Sequence, residues 1–325
     1  MTNNAAPKSA LADTFARFSR QPVFYPLIGF LLVFIIMTVV SDSFLTYNNL
    51  SNIGRQVSIN AIIAVGMTFA ILTGGIDLGV GSVMALSGTI MAGLMVSGIP
   101  MPVAIILGLL LGTFLGGLNG FMIAYGKMPA FIVTLAMMTI ARGLALIYTG
   151  GYPIAGLDNA FSFFGRGNVL GIETPIVITI LVYAIAYVVL TRTPFGRHVY
   201  ATGGNYEASR LSGIKVSKIL FLVYAISGFT SALAGLIISS RLMSGQPNAG
   251  VAFELDAIAA VVLGGAAMNG GKGTIIGTLM GALLLGVLNN GLNLIGINPY
   301  VQNVIKGIII LIAIYVGSEK KKARS

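Results

Sequence analysis

Five ionisable side chains fall inside or beside long apolar runs of the sequence: Asp77, Arg142, Glu254, Asp256 and Lys306. A charge in such a setting is costly unless it meets a partner or a water-filled path, so each is a candidate for handling a solute or a proton. Neutral amides follow the same pattern, with Asn289, Asn290 and Asn293 in one run and Gln302 and Asn303 in the next. Amides both donate and accept, which suits a polyhydroxylated solute in passage; hydrogen bonding between helices is the equal alternative. Arg142 and Lys306 stand toward the outer ends of their runs, so snorkelling to the interface is open to both. Asp77, in GGIDLGVG at the cytoplasmic face, is placed to cap the helix that follows. No carboxylate is expected at the centre of a span, which disfavours a proton relay. With no cysteine and the single histidine His198, the chain has no disulfide framework, no thiolate metal site and no cysteine nucleophile. No catalytic residue and no metal site are assigned.

The elements that carry these groups follow from composition. Of the 325 residues, 56% are hydrophobic and only 9% are Asp, Glu, Lys or Arg, where a soluble domain carries roughly a quarter. Spanning helices need about 20 apolar residues each, so the chain has room for ten with loops and tails to spare. Apolar runs broken by charge, Pro or Asn predict spans at 23–40, 57–74, 80–96, 103–124, 130–148, 175–191, 219–239, 257–268, 275–292 and 300–317. The fold class is therefore an all-α polytopic membrane protein. It divides into an N-terminal segment 1–22, a transmembrane domain 23–317 and a basic tail 318–325. The first run is long for a signal core, lacks a clear A-x-A site and reads as an uncleaved span. Only Gly74–Gly79 separates the second run from the third, and the eighth is short and glycine-rich, so interrupted or re-entrant helices are expected at both places. Glycines recurring at helical spacing, as at Gly108, Gly112, Gly116 and Gly120, read as close helix packing.

Charge sets the orientation. Lys8, Arg17, Arg20, Lys127, the five basic residues of the 192–218 loop, Lys272 and the four of the tail fall on one side; only Arg55, Arg166 and Arg241 fall on the other. Basic residues are retained on the cytoplasmic side, so both termini are expected there, and the net charge of +10 expresses topology rather than nucleic-acid binding. Asp42, Asp158, Glu173, Glu254 and Asp256 are assigned to the outer face. The outer loop from Thr149 to Pro175, rich in glycine and aromatics, reads as a lid, a docking surface or a set of interfacial anchors.

On the cytoplasmic side, the 192–218 loop contains GGNYEASRLSGIKVSK. Asn205 is a good N-cap, Glu207 and Arg210 are three apart, and Gly213 can end the turn, which predicts a short helix over 206–212. Leu211 and Ile214 give it an apolar edge suited to a groove on a soluble partner, against the plainer reading of a solvated basic loop. The run GGAAMNGGKGT (Gly264–Thr274) fails as a phosphate loop: Ala266 and Gly273 stand where Gly and Ser or Thr are required, and no strand precedes it.

Four segments in order, GGIDLGVGS (74–82), the 203–218 loop, ELDAIAAVVLGGAAMNGGKGT (254–274) and GVLNNGLNLIG (286–296), resemble the membrane permease of ribose-type ABC importers over nearly the whole chain. Gly79 replaces the Ser of the family's frequent GGIDLSVG. The resemblance implies a homodimeric, ten-helix permease in the bacterial inner membrane, with lipid around it. It implies a cytoplasmic ATPase that binds ATP and Mg, and a soluble sugar-binding protein outside; no cofactor is expected on this chain. It implies that Asn205, Tyr206, Glu207, Ala208, Ser209, Arg210, Leu211, Ser212, Gly213 and Ile214 form the element that couples to the ATPase. By the same likeness the fifth and tenth helices would line the pathway; Arg142, Gln302, Asn303 and Lys306 on them, with the amides Asn289, Asn290 and Asn293 of the ninth run, are its candidate groups. Arg55, Arg166 and Arg241 become candidates for docking the binding protein. An ion-coupled secondary transporter of a small polar solute is the alternative, and an intramembrane enzyme a distant third.

Overall fold

The computed structural model describes residues 23–322, with side chains through Ile309 and at Leu311. The segment 1–22, with Lys8, Arg17 and Arg20, lies outside the described residues, as do residues 323–325 of the tail. The chain is a helical bundle. Its helices are α1 Phe24–Val40, α2 Tyr47–Leu72, α3 Val80–Val96, α4 Met101–Ala124, α5 Ala130–Thr149, α6 Phe163–Arg166, α7 Thr174–Arg192, α8 Pro194–Gly204, α9 Tyr206–Leu211, α10 Val216–Leu242, α11 Phe253–Leu263, α12 Ile275–Leu294 and α13 Pro299–Lys322. A two-stranded hairpin, β1 Asn168–Val169 against β2 Ile172–Glu173, follows α6. Among the described residues six helices, α2, α4, α5, α7, α10 and α12, are long and apolar enough to cross a membrane; α1 and α3 are apolar but shorter.

Helix α10 is the axis of packing. Its 27 residues make it about 40 Å long at 1.5 Å per residue, and α2, α3 and α4 pack along it. Small residues permit this: a Cβ at Gly116 of α4 would overlap the carbonyl oxygen of Tyr224, and one at Gly120 would meet that of Phe221 at 2.7 Å. The glycine spacing of α4 is thus a packing face, as close approach in lipid requires. The later part of helix α2 is deeply enclosed, with Ala61–Ala64 and Phe69–Leu72 almost wholly buried.

Helix α2 starts at Tyr47, ten residues before the expected 57, because Asn49, Asn52 and Arg55 in the polar stretch find partners on neighbouring elements. Asn49 and Asn290 exchange amide hydrogen bonds at 3.0 and 2.8 Å, and Arg55 pairs with Glu173 at 3.1 Å. Helix α11 is only 11 residues long and packs on α12, α2 and α13. It ends at Leu263, short of 268, because Gly264 lies against Gly277 with no room for a Cβ and the backbone then turns at Gly265 (φ 88°).

The segment between α2 and α3 departs most from expectation. Asp77 is buried, and its Oδ2 accepts a 2.7 Å hydrogen bond from Ser227, near the middle of α10. Its Oδ1 accepts the Gly79 N–H at 2.9 Å, just ahead of α3. The carboxylate does serve the start of α3, but halfway along the longest helix rather than at the cytoplasmic face. The reason is that α3 begins inside the bundle. Glu254 and Asp256 stand on the first turn of α11, where a Cβ at Gly81 of α3 would meet the Glu254 carboxylate at 2.9 Å.

Candidate functional site

At one end of the bundle the chain between α7 and α10 folds into α8 and α9. Thr193 caps α8 by accepting from the Gly196 N–H, with Pro194 preset for the first turn. Asn205 then caps α9, its Oδ1 accepting from Ala208 N–H at 2.9 Å. Glu207 and Arg210 pair at 2.9 Å across the exposed face. Ser209 is buried, Ser212 closes the last turn through the Ala208 carbonyl, and Gly213 (φ 83°) turns the chain toward Ile214 and α10. Leu211 is 77% exposed and Tyr206 44%. An apolar side chain held out on a capped, two-turn helix has no internal packing role, and a partner surface can use it. A shallow groove beside α9 is lined by Tyr125, Tyr206, Arg210, Ile214 and Lys218.

At the opposite end the three arginines assigned to the outer side cluster. Arg55 is held by Glu173; Arg166 Nε donates to the Arg241 carbonyl oxygen at 2.7 Å; Arg241 Nη2 reaches Asn52 at 3.4 Å. Glu173 pairs with Arg55 and lies near Arg241, and Arg166 stays exposed. The outer loop braces them. Phe161 is fully buried and its carbonyl accepts from Ser240, while the hairpin carries Leu170, 99% exposed, at its tip.

The candidate pathway groups separate into three sets. Asn290 is committed to Asn49, and Gln302 Nε2 donates to Asn293 Oδ1 and the Ile297 carbonyl, both at 2.8 Å, so these amides join helices and close the α12–α13 turn. Arg142 reaches from α5 to the carbonyls of Pro247 and Ala249. Lys306 Nζ pairs with Asp256 at 3.2 Å. The cations of α5 and α13 are thus both tied to the segment 247–256, the approach and first turn of α11. Asn289 Oδ1 is buried without a hydrogen-bond partner, and Asn303 is exposed.

Sequence reasoning placed Glu173 on the same face as the arginines but missed other partners. Asn49, Asn52 and Ser227 complete these networks, and a signal existed only for the first two, in the polar cluster that precedes the second apolar run. Among the described residues no group of His, Asp and Glu is arranged to hold a metal ion.

Residues 49–314 match the family of branched-chain amino acid transport system permease components. The chain belongs to this permease family. It is 52% identical to the ribose import permease protein RbsC of Bacillus subtilis (strain 168), over 91% of this chain and 92% of that one. It is 48% identical to RbsC of Escherichia coli (strain K12), over 91% and 93%. The L-arabinose transport system permease protein AraH of the same strain is 38% identical over 99% and 97%. No solved structure matches it. This permease is thus a multi-pass membrane protein and a transport subunit, and its apolar helices, interrupted elements and exposed α9 are to be read in that light.

Proposed function

We propose that this chain is the membrane subunit of an ATP-driven importer carrying ribose, or a similar monosaccharide, into the bacterial cytoplasm. The observation that carries the reading is identity of about one half to ribose import permeases across more than nine-tenths of each chain. The permease works as a homodimer in the inner membrane, with ten crossings and both termini cytoplasmic, an orientation supported by the fourteen-to-three division of loop and tail charges. Residues Asn205–Ile214 dock on a cytoplasmic ATPase, which binds ATP and Mg. A sugar-binding protein docks outside against Arg55, Arg166 and Arg241, where carboxylates on the partner find the few cations of that face.

The pathway runs along α5 and α13, whose cations Arg142 and Lys306 both reach the segment 247–256. Arg142, Asn289, Asn303 and Lys306 are the groups best placed to hold water and offer hydrogen bonds without trapping a sugar; Asn290, Asn293 and Gln302 hold the helices that flank it. ATP-driven closure of the ATPase shifts the equilibrium between outward- and inward-open arrangements of these helices. The test is reconstitution in liposomes with the ATPase and binding protein, following ribose uptake and ATP hydrolysis together. ATP-dependent ribose uptake is the expected result. Uptake driven by an H⁺ or Na⁺ gradient without ATP would replace this reading with the ion-coupled one.

A further inference from the structure

The glycine run 264–274, which fails as a phosphate loop, has a definite place. Gly271 N–H donates to the Leu72 carbonyl oxygen at 2.9 Å, joining the run to the end of α2. A Cβ at Gly203, near the end of α8, would overlap that same Leu72 oxygen and meet Gly271 N at 2.6 Å. A Cβ at Gly270 would meet Gly74 N at 2.8 Å and Gly203 at 2.9 Å, and Gly270 and Gly271 hold φ of 87° and 71°, which glycine adopts without strain. Tyr200, one turn back in α8, donates to the Gly273 carbonyl at 2.9 Å. Its ring is half-buried, and desolvation raises its pKa, so the hydroxyl keeps its proton and remains a donor.

Three chain segments therefore meet backbone to backbone at one point. The first, 72–74, leads into the break before α3; the second ends α8 and leads at once into α9; the third runs from α11 into α12. Side chains elsewhere in the bundle can change rotamer and absorb a displacement. Here, with no side chains between the segments, a shift of α8 is passed on to both interrupted regions.

We infer that the junction of Gly203, Leu72 and Gly271 is the joint through which displacement of α8 and α9 reaches α3, which packs on the Arg142 helix α5, and α11, whose Asp256 holds Lys306. The inference rests on the importer reading and adds to it the residues that position the moving parts. A role in packing alone predicts parallel loss of folded protein, ATP hydrolysis and uptake. A transmission joint predicts loss of uptake with hydrolysis retained.

The adjacent glycine supplies the control, since a Cβ at Gly204 meets nothing within 4 Å. The full permease is reconstituted with its ATP-binding subunit and binding protein, using ribose as the probe, for wild type, Gly203→Ala, Gly204→Ala and Tyr200→Phe. In Gly203→Ala, ribose moved per ATP hydrolysed should fall about tenfold, and in Tyr200→Phe about threefold, the range seen for residues that couple distant sites. Gly204→Ala should match wild type. Should Gly203→Ala yield no folded protein, Tyr200→Phe decides, because it removes one hydroxyl and leaves every backbone crossing intact. Wild-type ratios in the folded variants would overturn the joint while leaving the importer reading in place. Absence of ATP-driven uptake in the wild type would overturn both.

Discussion

Lys306 of α13 and Asp256 of α11 form an ion pair at 3.2 Å with both side chains largely enclosed, 20% and 15% exposed. Helix α13 packs on α11 and on α12, while Tyr300, Val304 and Leu311 are turned outward. The pair is therefore a principal polar tie between the last helix and the half-length helix in the interior. Arg142 ties α5 to the approach of that same element through the Pro247 and Ala249 carbonyls. Two helices that flank the proposed pathway are thus moored to one short, interrupted segment.

Removing one member of such a pair leaves the other charge buried and alone. Lys306→Ala should destabilise the folded permease by about 3–5 kcal/mol, whereas the neutral pair Asp256→Asn with Lys306→Gln should recover most of that loss. Thermal unfolding in detergent of the single and double variants measures both terms. Equal stability of Lys306→Ala and wild type would show that the pair anchors nothing.

The reciprocal amide bonds of Asn49 and Asn290 hold α2 to α12. Asn290→Ala should cost about 1–2 kcal/mol by leaving Asn49 Oδ1 without its donor, although Asn49 Nδ2 still donates to the Phe44 carbonyl, while ribose uptake per folded molecule stays normal. Uptake falling with no change in unfolding temperature would return Asn290 to the pathway.

Helix positions were legible in the sequence wherever lipid-facing apolar residues run without interruption, as in α4, α5 and α7. Legibility failed where polar residues are satisfied by distant segments. Helix α2 begins ten residues early because Asn49 and Arg55 meet Asn290 and Glu173, far away along the chain, and no local pattern encodes such a meeting. Asp77 was misplaced for the same reason: composition marks a loop but not its depth, and its depth comes from Ser227. The short helix α9 was fully readable, since its cap, its ion pair and its terminating glycine are all local. The pathway was readable as a set of polar residues but not as a geometry, because whether an amide faces a solute or another amide is decided by helix packing.

The outer cluster should respond to charge rather than to size. Reversing Arg166 or Arg241 to Glu should weaken the binding-protein complex by about 2 kcal/mol or more and reduce its dependence on salt, since like charges would now meet across the interface. Arg166 is the more exposed probe, bonded inward through Nε to the Arg241 carbonyl, whereas the half-buried Arg241 also reaches Asn52. Affinity measured against ionic strength provides the check, and unchanged affinity and salt dependence in both reversals would place docking elsewhere.

The last prediction separates attachment to the ATPase from transmission beyond it. Leu211 is 77% exposed at the end of α9, a helix whose cap at Asn205 and ion pair between Glu207 and Arg210 are independent of it. Leu211→Asp therefore leaves the fold intact and introduces a charge that must be desolvated when α9 enters an apolar groove. Its cost at such a contact is at least a few kcal/mol, enough to reduce complex formation about a hundredfold. Co-purification with the ATPase should be lost along with uptake, while unfolding temperature matches wild type. This outcome differs from that expected for Gly203→Ala, where the ATPase stays bound and still hydrolyses ATP. Leu211→Met keeps the apolar contact and should behave as wild type. Normal ATPase binding and uptake in Leu211→Asp would remove the apolar edge of α9 from the interface.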